Sequence, residues 1–284
     1  MDTLDRAEAF LWTNARLLDR RRFELHFRGG DPARVIDAVR GYVNADGGFG
    51  HALEPDLRGP ESQPVPVEVA LAVMDETGAL DEELVAGCLR YLESISRADG
   101  GVPWLLPTSS PRAPWWEPAT GLPGSLNPTA SIAGLLLKHG VRHPWVDRAT
   151  DFCWSALGEV SEPEAYDVLA VLKFLDHVPD RARAEAVWAT LSAAVPSVVD
   201  ADPEAEGDTH GPLDFATHPG SLARSLFADD VIEGQLDALE QRQKPDGGWD
   251  FSFPSWTPIT RPEWRGWVTV GSLLTLRAYG RLAP

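Results

Sequence analysis

The densest group of side chains able to do chemistry is HALEPDLRGP (51–60), with His51, Glu54, Asp56 and Arg58 inside eight residues. A carboxyl in a dry aromatic cavity holds its proton more tightly than in water and can act as a general acid near neutral pH. Arg58 could orient an anion or lower the pKa of a neighbouring carboxylate. The plainer reading is that Glu54 and Asp56 cap a helix start and complement its dipole. A second cluster, GDTHGPLDFATHPGS (207–221), sets Asp214 and Phe215 between His210 and His218. Two histidines eight apart in a loop are poor metal ligands, and no metal or other cofactor is expected. Asp214 reads equally as a turn or cap residue. Asp250 follows Trp249, and Asp167 enters an apolar stretch beside Tyr166, where a charge needs a partner. Asp167 is therefore either paired structurally or catalytic. Glu54, Asp56 and Asp214 stand as the candidate catalytic carboxylates.

Aromatic residues accompany these groups. Six of the 11 tryptophans, Trp104, Trp115, Trp116, Trp249, Trp256 and Trp264, fall in long connecting segments. A concave, aromatic-lined mouth with a few carboxylates is the default form of a ligand site. On that basis Phe49, His51, Arg58, Trp104, Trp115, Trp116, Phe215, Trp249, Asp250, Trp256 and Trp267 are the candidate ligand-binding residues. Any one tryptophan could equally pack its loop onto the framework.

The elements that must position these residues repeat. NADGGFG (44–50), RADGGVPW (97–104) and KPDGGWDF (244–251) share one grammar. Asp46, Asp99 and Asp246 are separated by 53 and 147 residues, and 147 is three times 49. The period is thus about fifty, with two degenerate copies between the second and third markers. The Asp of each marker reads as a turn residue. Before each marker runs an amphipathic segment, such as Leu84, Val85, Cys88, Leu89 and Leu92 on one helical face. After it comes a segment nearly free of charge, such as NPTASIAGLLL (127–137) or GWVTVGSLLTL (266–276), apolar all round and so buried on several sides. Several of these start with Pro and stop at Gly78, Gly140 or Gly280.

The spacing predicts inner helices near 4–18, 66–77, 128–139, 165–176, 219–227 and 267–279. Outer helices are expected near 31–43, 81–96, 144–157, 180–194 and 230–243. Almost no strand signal competes, so the fold class is all-α. Six inner helices can close round an axis, which favours a ring of helical hairpins, an α/α toroid spanning 1–284 as one domain, over an open helical array. Inner-to-outer connections are short, and outer-to-inner ones (44–65, 97–127, 195–218, 244–265) are long. Long loops in a compact domain are usually functional, and in a closed ring they would all emerge on one rim.

Composition narrows the partners. Lys and Arg total 25 against 43 Asp and Glu, a formal charge of −18. Nucleic acids and anionic membranes call for basic patches, which are missing. No apolar run nears the ~20 residues of a membrane span, and MDTLDRAEAFLW does not read as a signal peptide. Two cysteines, Cys88 and Cys153, make no disulfide framework, so a reducing cytoplasm is the simplest location. Oligomeric state is left open.

QRQKPDGGW (241–249), with Gly266–Trp267 ahead of an apolar helix, resembles the QW-type repeat of the terpenoid cyclase and protein prenyltransferase superfamily. The Asp-Gly-Gly-aromatic run at 46–49 is similar. The resemblance implies a single α/α toroid around an apolar cavity. Its chemistry carries over less well. The family's protonating motif, DxDDTA, has only SLNPTAS (125–131) in a comparable place, with Asn127 and Pro128 where carboxylates would stand. WVTVGSLLTLRAYG lacks the histidine of a prenyltransferase zinc site, Cys88 and Cys153 lie on outer helices, and there is no DDxxD cluster.

Three functions remain in play. The first is a cyclase-like enzyme acting on a hydrophobic isoprenoid or polyene, with aromatic faces stabilising cations and Glu54, Asp56 or Asp214 replacing the missing acid. The second is a carbohydrate-active (α/α)6 enzyme with paired carboxylates. The third is a non-catalytic toroid binding a hydrophobic ligand or a protein. Carboxylates all tied into caps and ion pairs would favour the third.

Overall fold

The structure, a computed structural model, describes residues 2–159 and 164–282. Among these the fold is all-α, with strand pairing limited to isolated bridges. The helices are α1 (Thr3–Asn14), α2 (Leu17–Phe27), α3 (Pro32–Arg40), α4 (Pro64–Glu76), α5 (Glu82–Ile95), α6 (Leu126–Lys138), α7 (Pro144–Leu157), α8 (Ala165–His177), α9 (Arg181–Leu191), α10 (Pro212–Phe215), α11 (Asp229–Gln241) and α12 (Thr260–Ala278). No described helix is long and apolar enough to cross a membrane.

Local chemistry explains the helix boundaries. Asp2, Asp81 and Asp180 cap α1, α5 and α9 by accepting the Asp5, Leu84 and Arg183 N–H groups at 2.8, 3.0 and 3.1 Å. Pro64 and Pro144 occupy first turns, where a missing N–H leaves no bond unmade. Gly78, Gly140 and Gly280 follow α4, α6 and α12 with positive φ, as the sequence predicts.

The chain divides into two compact units, Met1–Ala38 with Pro196–Pro284, and Val39–Val195. In the second unit α6 packs against α4, α7 and α8, while α5 touches α4 and α7, and α9 touches α8. Gly134 lets α6 approach the α8 backbone, since a Cβ there would sit 2.4 Å from the Lys173 carbonyl oxygen. In the first unit α1, α2 and α12 pack mutually, and α11 lies on α12. Its core gathers Phe10, Leu11, Phe23, Ile232, Leu236, Trp249 and Leu273.

Within the units, one packing device recurs three times. In each marker the Asp Oδ1 accepts the N–H of the second glycine: Asp46 from Gly48 (2.9 Å), Asp99 from Gly101 (3.0 Å) and Asp246 from Gly248 (3.2 Å). The first glycine takes φ of 88°, 95° and 96°, a left-handed conformation that L side chains resist. It also lies on another helix. A Cβ on Gly47 would fall 2.3 Å from the Gly87 oxygen, on Gly100 2.6 Å from the Arg148 oxygen, and on Gly247 2.1 Å from the Arg6 oxygen. The second glycine meets an aromatic ring one turn further along that helix: Tyr91, Phe152 and Phe10. Each marker is therefore a socket that seats one turn on a second helix.

This recurrence corrects the expected helix at 4–18. The chain breaks at Ala15–Arg16, and α1 receives the 244–248 turn as α5 and α7 receive theirs. α1 thus receives a marker turn, unlike the inner helix expected there, and α2 follows it. The helix expected at 219–227 is a 3-10 segment, Leu222–Leu226. Cys88 and Cys153 are buried free thiols on α5 and α7; desolvation pushes Cys88 up to about 12 and also raises Cys153, so neither is a nucleophile near neutrality.

Gly47→Ala, Gly100→Ala and Gly247→Ala should each destabilise by about 2 kcal/mol or more, since strain and overlap with backbone combine. Gly78→Ala and Gly140→Ala, with positive φ but open space, should lose about 1 kcal/mol. Urea unfolding midpoints measure the difference; equal losses in both sets would reject the socket.

Candidate functional site

In the second unit two long connections come together. The Arg58 N–H donates to the Pro111 oxygen (2.9 Å), the Ala113 N–H donates to the Asp56 oxygen (2.8 Å), and Leu57 bridges Arg112 in antiparallel fashion. Gln63 fastens the same loops: its Oε1 accepts the Leu106 N–H (2.8 Å), its Nε2 donates to Thr108 Oγ1 (3.2 Å), and its own N–H donates to the Phe49 oxygen (2.9 Å). Gln63 is 2% exposed, and a buried amide with three such bonds holds its loops in register. Sequence reading missed it, because a Gln before a proline-led helix carries no functional signature.

Here residues 56–58 pair through their backbone with 111–113. Glu54 and Asp56 are 5% and 3% exposed. Glu54 Oε2 accepts the Leu57 N–H at 2.6 Å, so this carboxylate also serves its own turn. Arg58 Nη1 donates to the Pro55 oxygen at 3.2 Å. His51 is exposed with φ of 57°, and its Nε2 lies 2.9 Å from Asn44 Oδ1. Trp104 and Trp116 stack at 5.2 Å with 28° between planes, and Trp115 is exposed. Arg112 closes the loop by donating to the Trp116 oxygen (2.7 Å) and the Ser109 oxygen (2.5 Å). A cleft of about 420 Å3 opens there, lined by residues 110–114 and 116–118.

Phe49, expected at a ligand-lined mouth, is fully buried, because the marker turn drives the following side chain inward. Trp249 in the first unit follows its marker in the same way. It is 1% exposed, its N–H donates to Thr269 Oγ1 (2.9 Å) and its indole to the Leu239 oxygen (2.8 Å).

The remaining expected residues of the first unit are dispersed among local roles. Asp214 accepts the Gly211 N–H at 2.8 Å, capping α10. Desolvation within the loop raises its carboxyl pKa, with the Gly211 bond opposing, although the residue as a whole is exposed. Phe215 is buried with the His210 ring edge-on at 6.3 Å. Asp250 pairs with Arg261 at 2.5 Å. Trp256 is half-buried, with an indole N–H that finds no partner among the described residues. Trp267 lies under the Arg22 guanidinium at 4.0 Å. Arg22 and Arg16 pair with the fully buried Asp19 at 3.5 and 3.0 Å, a cluster sequence reading did not single out. Arg16 lies inside the helix expected at 4–18, whereas Asp19 and Arg22 lie beyond its end, in α2.

Asp167 has the structural partner its position demands. Its Oδ1 accepts the Asn127 N–H at 3.0 Å, joining the first turns of α8 and α6. Desolvation nevertheless raises its pKa, with the Asn127 bond opposing and Glu164 adding to the rise. Among the described residues, no three His, Cys, Asp or Glu side chains converge to hold a metal ion.

A raised carboxyl pKa means the ionised form is disfavoured in the fold. Its destabilising effect is absent below the ordinary carboxylate range and fully present above the raised pKa. Asp167→Asn keeps an acceptor for Asn127 and removes the charge. The variant should gain stability over wild type as pH rises from 3.5 to 7 in urea titrations; a gain independent of pH would refute this assignment.

Comparison with protein-family models finds no match, and comparison with curated proteins finds none. Among solved structures the chain is similar to the crystal structure of a protein from Actinoplanes, at 15% identity and a TM-score of 0.63, covering 98% of each chain. At that identity the likeness speaks for a shared fold.

Proposed function

We propose that the chain binds a small ligand with an apolar body where 51–60 joins 104–118, on an α/α-toroid framework, with cyclase-like acid chemistry at Asp56. The observation that carries this reading is the burial of Asp56 in a segment whose backbone is paired to the tryptophan-bearing cleft loop. General acid catalysis needs a carboxyl shielded from bulk water and close to the ligand. The framework is proposed from the marker socket, which recurs in both units as a ring of like hairpins requires.

A second reading, ligand binding without turnover, has its own support. Glu54 serves the Leu57 N–H, Asp214 serves Gly211 and Asp250 serves Arg261, so three of the acidic residues singled out in the sequence have structural tasks. The (α/α)6 carbohydrate reading finds no comparable support, because it needs two carboxylates left to face a sugar.

Mass spectrometry of molecules co-purifying with the protein identifies the ligand. With it in hand, Asp56→Asn should lower kcat by about 10²-fold or more while ligand affinity stays within threefold. Unchanged kcat rejects Asp56 as the acid; a ligand that binds but never turns over selects the second reading.

A further inference from the structure

The cleft at 110–118 is lined by polar and apolar groups together. Its volume, about 420 Å3, suits a small molecule. Pro111, Pro114 and Pro118 supply rigid apolar surface, and Trp116 supplies an indole held in place by its stack on Trp104. An indole fixed in this way loses little side-chain freedom on binding. Two charged side chains line the cleft. Arg112 is turned to structural use, its guanidinium donating to two carbonyl oxygens of its own loop. Glu117 is exposed, and its carboxylate has no ion-pair partner among the described residues. The surroundings add to the bias, because a chain of formal charge −18 raises the local concentration of cations and opposes anions.

We infer that the cleft selects a small organic cation, an alkylammonium whose alkyl groups meet the prolines and Trp116 while its charge faces Glu117. This rests on the reading of the cleft as the ligand site and adds the ligand's charge. Tryptophan is the most favourable of the aromatic side chains for a cation lying on its face. A carboxylate at the rim adds attraction that salt screens. Arg112 keeps its charge, but its Nε and Nη1 are held by the Trp116 and Ser109 carbonyls, and the cation is placed at Glu117 instead.

The test compares choline with its uncharged carbon isostere, 3,3-dimethyl-1-butanol, on the full chain. Indole N–H resonances are followed by NMR, with Trp116 assigned through Trp116→Phe. Choline should shift the Trp116 signal saturably and bind on the order of tenfold tighter than the isostere. Glu117→Gln should weaken choline severalfold and leave the isostere unchanged. Equal affinity for the two probes overturns the cation inference and leaves the cleft as a ligand site. If neither probe shifts Trp116, the inference fails; if the co-purified ligand leaves Trp116 unmoved as well, the reading of the cleft as the ligand site fails with it.

Discussion

Everything in both units is organised around a glycine pressed onto another helix's backbone. Gly47, Gly100 and Gly247 occupy positions where any Cβ would overlap a carbonyl oxygen, and where positive φ alone would strain a larger residue. Two constraints at one residue leave glycine as the solution. The preceding Asp fastens the turn, and the following glycine admits an aromatic ring from one turn along the receiving helix. Because Gly87, Arg148 and Arg6 each stand four residues before Tyr91, Phe152 and Phe10, one helical face supplies both contacts.

The socket also dictates what the next residue does. Once the turn is seated, the chain points inward, and Phe49, Val102 and Trp249 are buried in turn. Val102 and Trp249 each donate their N–H to a threonine of the following helix, Thr129 and Thr269. The loops that depart from these fixed points are long, yet they are held by backbone bridges and by Gln63. This gives the candidate site in the second unit a defined origin, with burial of Glu54 and Asp56 as a consequence.

The charged groups separate into two kinds. Asp46 and Asp246 serve the sockets and have second partners, Ser62 at 2.7 Å and Arg265 at 2.8 Å; the Arg265 guanidinium holds the Asp246 carboxyl below its usual range. Asp167, by contrast, is kept at a desolvation disadvantage to satisfy a helix end. Acidity in this chain therefore mixes framework and surface functions.

The period, the all-α class, the capped and glycine-ended helices and the turn role of each marker Asp were legible in the sequence, because they depend on contacts between residues near in the chain. Glu54, Asp56, Trp104 and Trp116 were legible as polar or aromatic residues in long loops, but the pairing of those loops was not, since it rests on bridges such as Leu57 to Arg112, 55 residues apart. The contact of α1 with a marker turn was hidden likewise, because Gly247 and Arg6 are 241 positions apart. Local propensity and periodicity are written in neighbouring side chains; which helix receives a turn, and which aromatic ring ends in the core, is decided by packing between distant segments.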